Sequence, residues 1–147
     1  MLEPGPGMGF FTIPLARLVG SSGRVIAMDI QEKMIAGLKR RAAKENLHDR
    51  IDARVAPAEF LAIDGFKGKI DFALAFAVVH EFSNVSRFFG ELSLALKPGA
   101  TCLVAEPKGH VSDEDFDCEL AAAAGAGLTT VSRPEISRSR AVLLRKD

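Results

Sequence analysis

The chain opens on Glu3-Pro4-Gly5-Pro6-Gly7-Met8-Gly9, three glycines at alternate positions behind an acid. Glycines in such a turn permit positive φ and let a ligand approach the backbone closely. A helix expected behind them, through Phe10 and Phe11 to Leu18 and Val19, would present free N–H groups to an anion. Pro14 must then lie in its first turn, where the missing N–H is harmless, or kink it. Asp29 follows Gly9 by 20 positions and ends the next apolar run, where a ribose diol is usually held. Strand, glycine turn, helix, strand and acid are the parts of a nucleotide-type site. A lone Gly-x-Gly would be no more than a βα turn; the full set is more specific.

A second group of reactive side chains comes later. His80 and Glu81 follow the apolar run ending at Phe76, and Glu106, Lys108 and His110 follow the run ending at Ala105. In an open parallel sheet such positions face the cleft beyond the strand ends. Their chemistry would be to orient an acceptor or take its proton, and His80, Glu81 and Glu106 are the candidate catalytic residues. The plainer alternatives are a surface pair before a helix for His80 and Glu81, and an ordinary connection for Glu106 to His110. No His/Cys/Asp cluster has metal-ligand spacing, so no metal is expected. Cys102 and Cys118 sit in apolar stretches and read as buried free thiols.

The elements that must position these residues alternate along the chain. Val25 to Met28 reads as a buried strand, followed by a helix with Met34, Ile35, Leu38 and Ala42 on one face. Ile51 to Val55 and Ile70 to Phe76 are the next strands. Val85, Phe88, Phe89, Leu92 and Leu96 trace a helical stripe, capped by Ser83 or Asn84 and ended by Lys97-Pro98-Gly99. Thr101 to Ala105 is a strand, and Ser112 with Asp115 resembles a capping box before a helix with apolar Phe116, Leu120, Ala123 and Ala124. Leu128 to Val131 and Ala141 to Leu144 close the chain as a strand pair. Repeated strand-helix units demand parallel strands with helices on both faces, and the last pair adds one antiparallel strand. The expected class is α/β, a Rossmann-like, doubly wound, mostly parallel sheet in a single domain over 1–147.

Composition narrows the partners. Lysine plus arginine and aspartate plus glutamate balance at 19 each, which argues against a dedicated nucleic-acid binder because counterion release needs a basic face. No apolar run approaches a membrane span and no signal-peptide pattern opens the chain, so a cytoplasmic protein without a membrane partner is expected.

The glycine loop separates two cofactor classes. A dinucleotide fingerprint would place its third glycine at position 10, which is Phe10, a side chain expected to oppose close packing beneath a pyrophosphate. An acid followed by Gly5-x-Gly7-x-Gly9 resembles instead the first motif of class I S-adenosylmethionine-dependent methyltransferases, of the type 11-like kind. Asp71 to Phe82 is similar to that family's fourth motif, Glu91 to Ala100 to its helix and Leu-Lys-Pro-Gly turn, and the terminal strand pair to its antiparallel seventh strand.

The resemblance implies S-adenosylmethionine as cofactor. Glu3, Gly5, Pro6 and Gly7 would line its methionine half, Asp29 its ribose and Ile30 its adenine. The backbone at Phe76 and Ala77 would lie beside the sulfonium. One departure is visible: where many relatives place an acid for the adenine amino group, Pro57 stands here, followed by Ala58 and Glu59, and these two are the candidate adenine contacts. The implied reaction is methyl transfer to a small-molecule acceptor, since no domain for nucleic acid or protein is appended. Relatives carry helices ahead of the first strand that cover the cofactor; here only Met1, Leu2, Glu3 and Pro4 precede the glycines. That leaves open a cofactor-binding module with little activity of its own, a cover supplied by another chain, and a homodimer formed over an uncovered apolar cleft. A nicotinamide-dependent oxidoreductase is the remaining alternative, with Phe10 and the terminal strand pair against it.

Overall fold

The computed structural model describes residues 1–147. Its strands are β1 (Leu2–Pro4), β2 (Val25–Asp29), β3 (Ile51–Val55), β4 (Ile70–Phe76), β5 (Leu96–Pro107), β6 (Leu128–Ser132) and β7 (Ser139–Lys146). Its helices are α1 (Thr12–Leu18), α2 (Glu32–Lys44), α3 (Val85–Ala95) and α4 (Asp113–Gly125). The chain forms two compact units, Met1–Ala58 and Glu59–Asp147. No helix is long and apolar enough to cross a membrane.

In the first unit β3, β2 and β1 lie side by side and parallel, with Glu3 opposite Ala27 and Asp29 opposite Val55. Val25 and Ala27 of β2 share one face by the two-residue strand period. Onto that face α1 brings Ile13 and Ala16, and α2 brings Ile35, Leu38 and Ala42, all buried in one cluster. Removing a leucine such as Leu38 from water contributes about 2 kcal/mol. The expected face of α2 is therefore correct at Ile35, Leu38 and Ala42, whereas Met34 is only half-buried.

Helix α1 is shorter than its sequence suggests. It begins at Thr12, with Pro14 in its first turn, and Phe10 stands outside it, 74% exposed. The bulk of Phe10 therefore opposes no packing. Close helix approach falls to Gly9, where an added Cβ would come within 2.6 Å of Leu38 Cδ1 and where φ is +91°.

In the second unit the order is β4-β5-β7-β6, with β4 parallel to β5 and β7 antiparallel to both of its neighbours. The terminal pair is thus antiparallel as expected, with β7 returning between β5 and β6. Helix α3 starts at Val85, one residue after Asn84, whose Oδ1 accepts the Arg87 N–H at 2.9 Å. It stops at Ala95 and not at Leu96, because Leu96 already pairs with Ile70. Lys97 to Ala100 are absorbed in a bulge of β5, an extended path that suits the residue before Pro98. Ser112 and Asp115 form the capping box of α4.

Three side chains on α4 depart from expectation. Glu119 is buried together with Phe116 and Ala123, while Ala124 is exposed. Cys118 is exposed, not buried; Cys102 is fully buried, and burial pushes its thiol up to about 12, leaving it unreactive.

Candidate functional site

The glycine loop of the first unit is tied to the end of β2. Gly5 N–H donates to the Met28 carbonyl at 2.8 Å, and Gly7 N–H donates to Asp29 Oδ2 at 3.3 Å. Gln31 N–H donates to Asp29 Oδ1 at 2.9 Å. Each Asp29 oxygen so takes one backbone hydrogen bond and keeps a lone pair for a hydroxyl donor, which suits a ribose diol. Gly5 and Gly7 have φ of +66° and +54°. A Cβ added at Gly7 would meet nothing within 4 Å, so the backbone there is open to a ligand.

Glu3 lies beneath this loop. It is 3% exposed, and its Oε2 accepts the Thr12 hydroxyl at 2.6 Å, joining β1 to the first turn of α1. Burial raises its carboxyl to about 7, against the weaker lowering effect of the Thr12 bond. Pro6 is buried, and its carbonyl accepts the Gly9 N–H at 3.0 Å. Ile30, after the end of β2, is 52% exposed and offers an apolar surface beside Asp29. Ala58 and Glu59 are in an exposed turn after β3.

In the second unit a carboxylate organises the end of β4. Ala77 has φ of +53°, uncommon for a residue with a Cβ, and its N–H donates to the Ala105 carbonyl at 2.7 Å. That bend turns the next two amides toward β5. Val78 and Val79 N–H donate to Glu106 Oε1 at 3.0 and 2.9 Å, while Glu106 Oε2 pairs with His80 Nδ1. A carboxylate that already accepts two amides is an acceptor, so the imidazole proton belongs on Nδ1 and Nε2 keeps its lone pair. The His80 side chain is 26% exposed and stacks on His110, ring centroids 5.8 Å apart. Phe76, at the end of β4, is half-buried.

The candidate residues therefore separate by role. Glu106 is fully buried with both oxygens engaged, so it positions His80 and does not itself meet an acceptor. His80 and His110 line a cleft of about 650 Å³ with Ser83, Asn84, Asp115 and Glu119. Glu81 is exposed and does not line that cleft. Lys108 borders a different depression, with Arg133, Arg138 and Arg140. Glu119 is the residue that sequence reasoning missed; the spacing Phe116, Glu119, Ala123 on the buried stripe was its signal. No group of three potential ligands is arranged to hold a metal ion.

Comparison with known proteins agrees with this construction. The methyltransferase domain family matches residues 1–134. The ubiquinone biosynthesis O-methyltransferase of Brucella ovis is 36% identical over 104 residues, 71% of this chain and 39% of that protein. The chain thus spans about two fifths of the length of the curated relatives it matches. Among solved structures, an S-adenosylmethionine-dependent methyltransferase from Aquifex aeolicus superposes with a TM-score of 0.84 at 24% identity, covering 99% of this chain and 81% of that one. Geranyl diphosphate C-methyltransferase from Streptomyces coelicolor, solved with magnesium, geranyl diphosphate and S-adenosylhomocysteine, gives 0.77 at 15% identity over 99% of this chain and 69% of that one. These last two likenesses carry the Rossmann-like fold of the whole chain, and the family match carries the rest: the chain belongs to the methyltransferase domain family, as a class I S-adenosylmethionine-dependent methyltransferase domain.

Proposed function

We propose that this chain transfers the methyl group of S-adenosylmethionine to a small organic acceptor whose proton is taken by His80. The cofactor supplies an activated sulfonium methyl, so the protein's task is alignment, exclusion of water and removal of a proton from the acceptor. Asp29 takes the ribose hydroxyls, Gly5, Pro6 and Gly7 carry the methionine end above buried Glu3, and Ile30, Ala58 and Glu59 serve the adenine. The backbone at Phe76 and Ala77 flanks the reacting methyl, as it does by family resemblance. The observation that supports cofactor binding most strongly is the bond from Gly7 N–H to Asp29, which couples an open left-handed glycine to the diol acceptor.

His80 acts as the base because Glu106 occupies Nδ1, which leaves Nε2 as the nitrogen to accept a proton, on a ring that lines the cleft. Such a base suits an acceptor hydroxyl or nitrogen, whose methylation requires a proton to leave. The reading is tested by incubating the full chain with labelled S-adenosylmethionine and fractionated small-molecule extract. Incorporation that falls on His80→Ala supports it. Cofactor binding without transfer to any fraction would favour a binding module instead.

A further inference from the structure

Glu119 has no task in the account so far. It lies on the buried stripe of α4, 5% exposed, and its Oε2 has no hydrogen-bond partner. Its side chain lines the cleft that also holds His80 and His110. An unmatched buried carboxyl oxygen is costly to keep, so a fold retaining one invites a ligand that answers it.

The surroundings define the ligand's charge. From α4 itself come Asp115 and Cys118, from β5 comes Glu106, and the connections contribute His80 and His110. The start of α3 contributes Ser83, Asn84, Val85 and Ser86, none of which titrates, and no lysine or arginine lines the cleft. Burial, with the negative charges of Glu106 and Asp115, pushes the Glu119 carboxyl up to about 8, so it is protonated in neutral solution. An anionic ligand would be opposed by the negative charges of Glu106 and Asp115 that already act on Glu119. A metal ion would find no set of three ligands. The volume, about 650 Å³, is that of a small organic molecule.

We propose that this cleft recognises the amino group of a small organic molecule, held as an ammonium against Glu119. The balance is simple. The ligand enters as R–NH3⁺, the Glu119 carboxyl gives its proton to solvent, and the ion pair that forms leaves the cleft with its charge unchanged. Val85, Val111 and Ala122 supply apolar wall for the ligand's carbon frame. The inference rests on the methyl-transfer reading only in making this molecule the acceptor; amine binding itself stands independently.

The test is calorimetric titration of the full chain at pH 7 with benzylamine, benzyl alcohol and benzoate, each in phosphate and in Tris. Benzylamine is expected to bind at least about tenfold more tightly than the other two and to release about one proton per molecule, read from the buffer dependence of the heat. Glu119→Gln, with its fold checked by circular dichroism, should lose both the preference and the release. The proton count on the unsubstituted chain needs no variant. Equal or tighter binding of the alcohol or the benzoate, benzylamine binding without proton release, or no binding of any of the three overturns the proposal. S-adenosylhomocysteine binding measured on the same sample is the separate control: its absence would sink the methyltransferase reading while leaving the amine result to stand.

Discussion

Glu106 and His80 form a carboxylate–imidazole pair in which the acid is wholly buried and only the base reaches the cleft. Because Glu106 also holds the Val78 and Val79 amides, one residue of β5 fixes both the imidazole and the backbone bend before it. The imidazole is thereby oriented before any acceptor arrives. His80→Ala should lower kcat by about 10²-fold or more, the usual worth of a positioned base, with S-adenosylhomocysteine affinity unchanged. Glu106→Gln should lower kcat less, because the amide oxygen can still accept the backbone bonds, with S-adenosylhomocysteine affinity again unchanged. An unchanged kcat in Glu106→Gln would remove its positioning role.

Asp29 and Gly7 give a prediction on cofactor affinity. Asp29→Ala removes the acceptor of two backbone N–H groups as well as the proposed diol contact. Affinity for S-adenosylhomocysteine should fall about 10- to 100-fold, the value of one to two charge-assisted hydrogen bonds. Equilibrium titration reads this directly, and a change under twofold would place the ribose elsewhere.

The three glycines of the loop should not respond alike. Gly9→Ala meets Leu38 and adopts φ of +91°, so it should cost about 2–4 kcal/mol of stability. Gly7→Ala meets no atom, so only its left-handed backbone is strained, at about 1–2 kcal/mol. Yet Gly7→Ala should weaken the cofactor more, because its Cβ projects into the open space. Denaturant unfolding and ligand titration on the two variants separate these effects; equal stability losses would contradict the packing role of Gly9.

Glu3 makes stability depend on pH. Its carboxyl is raised from the ordinary 4.5 to about 7, so the folded chain binds more protons than the unfolded one between those values. Stability from this group is therefore full below about pH 4.5 and declines as pH rises toward 7, by on the order of 3 kcal/mol at most. Glu119, raised from the same 4.5 to about 8, acts in the same direction over a wider range. Glu3→Gln should flatten the first part of the fall and be more stable than the unsubstituted chain at pH 8. Melting curves from pH 5 to 8 decide it, and a variant as pH-dependent as its parent contradicts the assignment.

Features set by neighbouring residues were legible in the sequence. The Asn84 cap, the Ser112–Asp115 box and the end of β2 at Asp29 each depend on a few adjacent side chains. Boundaries set by pairing were not: Leu96 read as the last residue of the helical stripe and Lys97-Pro98-Gly99 as a turn, whereas Leu96 pairs with Ile70 of β4 and the next four residues form a bulge of β5. The role of Phe10 was misjudged because the start of α1 depends on where the loop's hydrogen bonds end. Glu106 was found, but its task was hidden, since it depends on the positive φ of Ala77, which no glycine announces. Glu119 carried a helical-period signal that its charge obscured.

Thermal unfolding of the full chain with S-adenosylhomocysteine, compared with NADH, reports whether the glycine loop and Asp29 hold S-adenosylmethionine as proposed. At about 100 times its Kd, S-adenosylhomocysteine should stabilise the chain by about 2.7 kcal/mol and raise the melting temperature by on the order of 5–10 °C. Asp29→Ala should lose most of that rise, and NADH should produce none. A rise with NADH alone, or no response to S-adenosylhomocysteine at millimolar concentration, would contradict the account.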